Sequence, residues 1–252
     1  MNGSSPRILA VAKASAAAML LLATAACTPA GTDAQPTPAQ PPSSRPSPTR
    51  QAPVADSKRG PTVRVVVIGD SLSTGLGTSP KLAWPKLLQS AHLSNKRPVQ
   101  VTNAAENGSG YLVPGEDGDT FTMEVESAVS PDADVVVFFG SDNDTGADPG
   151  ELRDAAASTF AAASSLAPNA VLVAVGPLSG SEEPDPVLAD VRDTQAAVAQ
   201  DMGVKFIDPI AEQWLSGRAD VLLGPDGEHP SAQGQKFLRD KMKRILSAAV
   251  QG

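Results

Sequence analysis

Short apolar runs separated by helical patterns constrain the fold of this chain more than any other feature. Three runs are continuously apolar, which suits strands buried on both faces of a sheet, and two shorter candidates join them. The five runs are Val63–Ile68, Val99–Thr102, Val135–Phe139, Ala170–Val175 and Val204–Ile207. Because a half-exposed strand would alternate apolar with polar residues, these runs favour a sheet that is covered on both sides.

Helical periodicity fills the intervals between the five runs. The predicted helices span Leu82–Ala91, Thr122–Val129, about 150–166, Val187–Met202 and about 232–250. Pro149 suits the first turn of the third helix, and Ser231 suits the N-cap of the last one. Strands that alternate with helices predict a parallel sheet with helices on both sides. Ligands of such sheets bind beyond the carboxyl ends of the strands.

The first 27 residues have the pattern of an export signal. Arg7 and Lys13 precede an apolar stretch, Ala14–Ala26, which is too short for a stable membrane span and is followed by Cys27, the only cysteine. The position of Cys27 resembles the lipobox of bacterial lipoproteins, in which this residue carries the lipid. We expect an exported protein that is lipid-anchored on the outer face of the membrane, or secreted if the signal is an ordinary cleaved one.

Residues 28–60 predict a disordered tether, because they are rich in Pro, Thr, Ser, Ala and Gln and have no apolar periodicity. Charge divides at the same boundary. Residues 1–60 carry a formal charge of +4 and the whole chain −8, so residues 61–252 carry −12. An acidic domain repels phosphate backbones, which argues against nucleic acid as a partner. Residues 61–252 have the length of one domain, which we expect to be monomeric.

Glycine and polar residues follow three of the predicted strands at the point where each strand ends. The segments are Gly69-Asp70-Ser71, the run 103–110 (NAAENGSG) and Gly140-Ser141-Asp142-Asn143-Asp144. Each segment alone has the ordinary composition of a turn. Since the carboxyl ends of parallel strands lie at one edge of the sheet, their joint occurrence points to a functional site.

The two histidines of the chain, His92 and His229, are the only groups that can supply an imidazole for acid–base chemistry. His229 has a carboxylate three residues earlier, Asp226, in a short loop with Gly and Pro. A hydroxyl nucleophile needs a base, and the base needs an acceptor that orients it. This requirement predicts Ser71 as the nucleophile, His229 as its base and Asp226 as the orienting carboxylate.

The same reaction needs hydrogen-bond donors for the negative charge that develops on the substrate oxygen. The candidate donors are the backbone N–H of Ser71, the backbone N–H of Gly108 and the side-chain amide of Asn143. A glycine allows the backbone to approach the substrate closely, and an amide is a neutral donor that a carboxylate cannot replace.

These segments resemble the sequence blocks of the SGNH hydrolases, also called GDSL-type esterases and lipases. The run Gly69-Asp70-Ser71-Leu72 matches the first block, which contains the nucleophile. Asp226 and His229 match the last block, Asp-x-x-His, and Pro230 after them also fits. The resemblance spans residues 63–250, and four ordered blocks are more specific than any one of them.

The second and third blocks match less closely. Gly108 is the best match for the glycine of the second block, with Gly110 as an alternative. The third block of the family is usually Gly-x-Asn-Asp, and this chain has one extra residue before Asn143. By this resemblance, we expect the side-chain amide of Asn143 to be the donor that the third block supplies.

The resemblance implies a three-layer α/β/α sandwich around a parallel sheet of about five strands in a flavodoxin-like order. It also implies hydrolysis of carboxylic esters of a glycan, a lipid or a small alcohol, without a cofactor. Transfer of the acyl group from Ser71 to a sugar hydroxyl is an alternative activity. A catalytically silent glycan-binding surface lipoprotein is the non-enzymatic alternative, although all the expected catalytic side chains are present.

The chain has no Cys and His cluster with the spacing of metal ligands, so no metal is expected. We interpret three acidic residues beside the blocks as turn and hydrogen-bonding residues: Asp70, Asp142 and Asp144.

Other residues have weaker interpretations. His92 is interpreted as structural or solvent-facing, and Trp84 as a packing residue under the Ser71 turn. Trp214 and Tyr111 could either stack on a substrate or belong to the core. The acidic loop 176–186 is a candidate substrate-facing segment by its position alone.

Overall fold

The computed structural model describes residues 62–93, 96–181 and 183–251. The predicted export signal, the predicted lipidation site Cys27 and the predicted linker 28–60 lie outside the described residues. Among the helices that are described, none is long and apolar enough to cross a membrane.

Five parallel strands form a single sheet in the order β2-β1-β3-β4-β5. The strands are β1 Val63–Gly69, β2 Val99–Asn103, β3 Val135–Phe139, β4 Val171–Val175 and β5 Lys205–Ile207. This is the flavodoxin-like order that the family resemblance implies. The predicted fold class and all five predicted strands are therefore confirmed.

Seven helices connect and cover the strands within the described residues. They are α1 Ser71–Thr74, α2 Trp84–Leu88, α3 Phe121–Ala128, α4 Pro149–Leu166, α5 Pro186–Met202, α6 Ala219–Leu222 and α7 Ala232–Ala249. The two four-residue helices, α1 and α6, were not predicted, because one turn is too short to show helical periodicity. Ser231 caps α7 as expected, since its Oγ accepts from the Gly234 N–H at 3.1 Å.

Two hydrophobic cores lie on opposite faces of the sheet, which makes three layers. Consecutive residues of a strand point to opposite faces, so Val65 and Val66 belong to different cores. One core contains Trp84 and the buried side chains of α7, and the other contains buried side chains of α3, α4 and α5. Burial on both faces explains why β3 is apolar throughout and why β1 is apolar except at the exposed Arg64.

The close contact between α6 and α7 depends on a glycine in the first turn of α7. A Cβ at Gly234 would lie 2.0 Å from the carbonyl oxygen of Leu222. That carbonyl also accepts from the Ser231 N–H at 2.8 Å, and the adjacent Leu223 pairs with Pro230. These contacts hold the two ends of the loop that carries His229.

Replacement of Gly234 by Ala is therefore expected to destabilise the fold. Gly→Ala within a helix is normally favourable, but here the methyl group would displace the Leu222 backbone, at a cost of about 1–3 kcal/mol. Chemical unfolding followed by circular dichroism measures the change. The matched control is Gln233→Ala on the exposed side of the same turn, which should leave the unfolding free energy unchanged. Equal stability of Gly234→Ala and the wild type would show that the contact does not constrain this loop.

Candidate active site

The Ser71 turn lies directly after β1, the strand between β2 and β3. Asp70 caps α1, because its Oδ1 accepts from the Leu72 N–H at 2.9 Å. Ser71 is the first residue of that helix, and its side chain lies at the carboxyl edge of the sheet. Its own N–H has no acceptor within α1, as is general for the first residues of a helix.

The loop before α7 brings His229 to Ser71. The Nε2 atom of His229 lies 3.0 Å from Ser71 Oγ, and its Nδ1 atom lies 3.0 Å from Asp226 Oδ2. Asp226 Oδ1 also accepts from the backbone N–H groups of Glu228 and His229, at 3.0 and 3.1 Å. The structure therefore brings together the three side chains that the sequence predicts as nucleophile, base and orienting carboxylate.

Hydrogen bonds at Asp226 determine which ring nitrogen of His229 carries the proton. The backbone N–H of Glu228 and then the His229 side chain lower the pKa of Asp226 to about 2. The carboxylate is thus ionised at neutral pH and accepts a hydrogen bond from Nδ1–H. In the neutral ring this leaves the Nε2 lone pair directed at the Ser71 hydroxyl, which is the arrangement a general base requires.

The two candidate glycines of the second block differ in what their N–H groups contact. The Gly110 N–H donates to the Val113 carbonyl at 2.8 Å. A Cβ at Gly110 would lie 2.5 Å from Asp144 Oδ1, so this glycine is required by packing. No described residue accepts a hydrogen bond from the Gly108 N–H. Of the two glycines, Gly108 is the one whose donor is open.

Asn143 lies against the same turn. Its Nδ2 atom donates to the Ser109 carbonyl at 2.8 Å, next to Gly108. Ser141 Oγ donates to that carbonyl at 3.1 Å and accepts from the Asn143 N–H at 3.0 Å. The extra residue in the third block is accommodated within this turn, and the Asn143 amide keeps a second N–H for another acceptor.

Of the acidic residues beside the blocks, Asp70 and Asp144 are buried and accept hydrogen bonds from backbone N–H groups, and Asp142 is half-buried. Asp144 accepts from the N–H groups of Tyr111, Leu112 and Val113 at 2.8, 3.0 and 3.1 Å. Burial, and secondarily the charge of Asp142, raises the pKa of Asp70 well above its usual value. Burial also raises the pKa values of Asp142 and Asp144. In the part of the chain that the structure describes, no group of three or more His, Cys, Asp or Glu is arranged to hold a metal ion.

Sequence reasoning missed one carboxyl group at the site, Glu124 of α3. Its Oε2 accepts from the Gly69 N–H at 2.8 Å, and its Oε1 lies 2.7 Å from Ser109 Oγ. It is 1% exposed, and burial raises its pKa to about 8. The signal in the sequence is its spacing from Phe121, three residues earlier, which places a carboxyl group on the apolar face of the helix.

The aromatic residues belong to the core. Trp84 lies under the Ser71 turn as predicted, and its Nε1–H donates to Ser73 Oγ at 3.2 Å. Tyr111 packs against Phe121, with ring centroids 4.8 Å apart. Tyr111 and Trp214 are both buried, so neither offers a face on which a substrate could stack. His92 is exposed and pairs with Pro98 in an isolated bridge.

A cleft of about 520 Å³ lies next to the segments that carry Ser71 and His229, although these two side chains do not themselves line it. The neighbours of these residues in the chain, Leu72 and Glu228, line it. The loop after β4 contributes Leu178, Ser179, Gly180, Ser181 and Asp185, so this loop faces the cleft as its position predicted. Apolar walls also come from Leu188, Leu215, Ala219 and Leu223.

Comparison with known proteins identifies the family of this chain. The profile of the GDSL-like lipase/acylhydrolase family matches residues 67–237. The GDSL lipase Rv0518 of Mycobacterium tuberculosis is 37% identical over 194 residues, which cover 75% of this chain and 83% of that protein.

Two solved structures have the same fold. TesA superposes with a TM-score of 0.61 at 22% identity, over 74% of this chain and 99% of TesA. The psychrotrophic esterase EstA from Pseudoalteromonas sp. has a TM-score of 0.58 at 16% identity, over 75% of this chain and 99% of EstA. The family match, rather than these distant likenesses, establishes membership: the chain belongs to the GDSL-like lipase/acylhydrolase family of SGNH hydrolases and is a carboxylic ester hydrolase.

Proposed function

We propose that this chain is an exported serine esterase that cleaves acyl esters through an acyl-enzyme on Ser71. The observation that carries the proposal is the continuous contact from Ser71 Oγ to His229 Nε2 and from His229 Nδ1 to Asp226 Oδ2, each 3.0 Å long. A nucleophile, a base and an orienter within hydrogen-bond reach are the parts that acyl transfer to a serine needs.

In the first half of the reaction, Ser71 Oγ attacks the ester carbonyl carbon while His229 Nε2 takes the hydroxyl proton. The tetrahedral intermediate then collapses, its bond to the alcohol oxygen breaks, and His229 returns the proton to the leaving alcohol. In the second half, water attacks the acyl-enzyme with His229 again as base, and the carboxylic acid leaves. Asp226 stays ionised throughout and stabilises the imidazolium.

Three N–H donors are proposed to stabilise the oxyanion of both intermediates. The backbone N–H groups of Ser71 and Gly108 are open to a substrate, and the Asn143 amide has one N–H left after its bond to the Ser109 carbonyl. Donors that are already held in place need little reorganisation during the reaction, which is the source of their effect on rate.

The cleft beside Ser71 is proposed to hold the substrate. Its leucine side chains suit an acyl chain or another apolar group, while Ser179 and Asp185 offer polar contacts at the loop after β4. An acyl ester of a glycan, a lipid or a small alcohol fits this description. Lipidation of Cys27 would tether a monomeric domain to the outer face of the membrane through residues 28–60, and a cleaved signal would release it. Mass spectrometry of the mature N-terminus distinguishes the two.

Loss of either the nucleophile or the base should abolish turnover. For Ser71→Ala and His229→Ala, kcat/KM on p-nitrophenyl acetate is expected to fall by about 10³-fold or more. The folded structure should persist in both variants, as thermal unfolding would verify. His92→Ala is the matched control, because it removes the other histidine, which is exposed. Wild-type turnover in Ser71→Ala would refute the serine esterase mechanism.

Asp226→Asn tests whether Asp226 must select the tautomer of His229 or need only form a hydrogen bond with the ring. In Asp226→Asn the amide N–H₂ favours the ring tautomer with its proton on Nε2, which cannot accept from Ser71. We expect kcat to fall by about 10²–10⁴-fold at pH near 7. Asp154→Asn makes the same chemical change on the exposed side of α4 and should leave kcat unchanged. If Asp226→Asn keeps the wild-type kcat, Asp226 does not orient the base.

A further inference from the structure

Glu124 lies beneath the junction of the Ser71 turn and the turn that contains Gly108 and Ser109. It is buried, and no ion pair joins it to a Lys or Arg in the described residues. Its Oε2 accepts from the Gly69 N–H at 2.8 Å, so one of its oxygens has a fixed role as an acceptor. The other oxygen, Oε1, lies 2.7 Å from the hydroxyl of Ser109. The Glu106 backbone N–H also interacts with this carboxyl group.

The hydroxyl of Ser109 has more acceptors around it than protons to donate. Its Oγ lies 2.7 Å from Glu124 Oε1, 2.9 Å from the Gly69 carbonyl and 2.9 Å from the Glu106 carbonyl. A hydroxyl carries one proton, and a carbonyl can only accept. If Glu124 were ionised, the Ser109 proton would go to Oε1, and neither carbonyl would receive it.

A protonated Glu124 reduces this mismatch between donors and acceptors. Its Oε1–H donates to Ser109 Oγ, and the Ser109 hydroxyl then donates to the Gly69 or Glu106 carbonyl. Oε2 continues to accept from the Gly69 N–H. With Glu124 protonated, one of the two carbonyls receives the Ser109 proton, whereas with Glu124 ionised neither does, so the neutral form leaves fewer buried acceptors without a donor from Ser109.

The surroundings of Glu124 also disfavour its charge. Burial is the main reason why its pKa rises to about 8, and the charge of Glu106 adds to the effect. Asp70, directly after β1, is the other acidic group coupled to Glu124, because a charge on Glu124 contributes to the raised pKa of Asp70. On the side of α4, which packs beside α3, the buried side chains are not ionisable: Leu152, Ala156, Thr159, Phe160 and Ala163.

Ser109 connects this cluster to the donors of the active site. Its carbonyl accepts from Asn143 Nδ2, and its Oγ contacts the Gly69 carbonyl two residues before Ser71. The Gly69 carbonyl also accepts from the Glu106 N–H at 3.0 Å. The three segments that carry Ser71, Gly108 and Asn143 therefore meet at Ser109.

We propose that Glu124 is a positioning residue that acts as a neutral acid, holding the Ser71 turn, the Gly108 turn and Asn143 in register through Ser109. Ionisation of Glu124 turns the Ser109 hydroxyl away from the two carbonyls and loosens the Gly108 turn. The expected consequence is a loss of kcat at alkaline pH with little change in KM. This proposal rests on the esterase function proposed above.

Glu124→Gln tests the proposal, because the amide reproduces the neutral acid and cannot ionise. Its oxygen accepts from the Gly69 N–H, and its N–H₂ donates to Ser109 Oγ. We expect its kcat on p-nitrophenyl acetate to stay within about threefold of wild type at pH 7. As pH rises to about 9, one unit above the pKa of Glu124, the wild-type kcat should fall several-fold and that of Glu124→Gln should not.

Two further variants separate positioning from a merely structural role. Glu126→Gln makes the same change on the exposed side of α3 and should follow the wild-type pH profile. Ser109→Ala removes the connection, so its kcat should be lower than that of wild type and no longer depend on Glu124. Adding Glu124→Gln to Ser109→Ala should then change nothing further. Coincident alkaline profiles of wild type and Glu124→Gln would overturn the proposal while leaving the esterase function intact.

Infrared difference spectroscopy tests the protonation state without any turnover. At about pH 7 wild type should show a protonated carboxyl C=O band that Glu124→Gln lacks, in addition to any band from Asp70 that both proteins share, and this band should be lost as pH rises past about 8. Absence of this band in wild type would overturn the proposal whether or not the chain hydrolyses esters. The rate at which an aryl phosphonate ester labels Ser71 provides the same pH comparison in place of kcat, so failure with one ester substrate does not prevent the test.

Discussion

The parallel pairing of β1 with both β2 and β3 is the constraint on which the site depends. This pairing sets the end of β1 between the ends of its two neighbours, so the Ser71 turn is flanked by the turns that carry Gly108 and Asn143. In the chain order, β2 is added on one side of β1, and β3, β4 and β5 are added on the other side. Open α/β sheets bind their ligands at the point where this change of side occurs, here between β1 and β3. The apolar runs are therefore also the reason why distant polar segments meet.

Buried polar contacts convert this proximity into a defined geometry. Ser109 joins the second block to the first through Gly69 and to the third through Asn143. Asp144 fixes the following segment by accepting three successive backbone N–H groups, and this leaves no room for a side chain at Gly110. Asp226 and His229 come from far along the chain, on a loop whose ends are held by the contact of α6 with α7.

Features produced by interactions between residues close in the sequence could be predicted, and features produced by contacts between distant segments could not. The five strands and five longer helices were visible because burial acts on consecutive residues and leaves a periodic pattern. The helices α1 and α6 could not be predicted, because each has only four residues and one helical turn shows no periodic pattern. The roles of Trp214 and Tyr111 could not be predicted either, because an aromatic side chain is equally suited to stacking on a substrate and to packing in the core. Only their contacts with other elements assign them to the core.

By itself, the sequence determined the fold class, the family and the identity of the residues that we propose perform ester hydrolysis. These depend on residue type and on local spacing, such as the three residues from Asp226 to His229. Tertiary structure alone decided which of Gly108 and Gly110 keeps an open N–H, and it alone placed Glu124 beneath the site. Both results depend on contacts between segments far apart in the chain, because a hydrogen-bond donor is open or occupied, and a carboxyl group hydrated or buried, only once its neighbours in space are known.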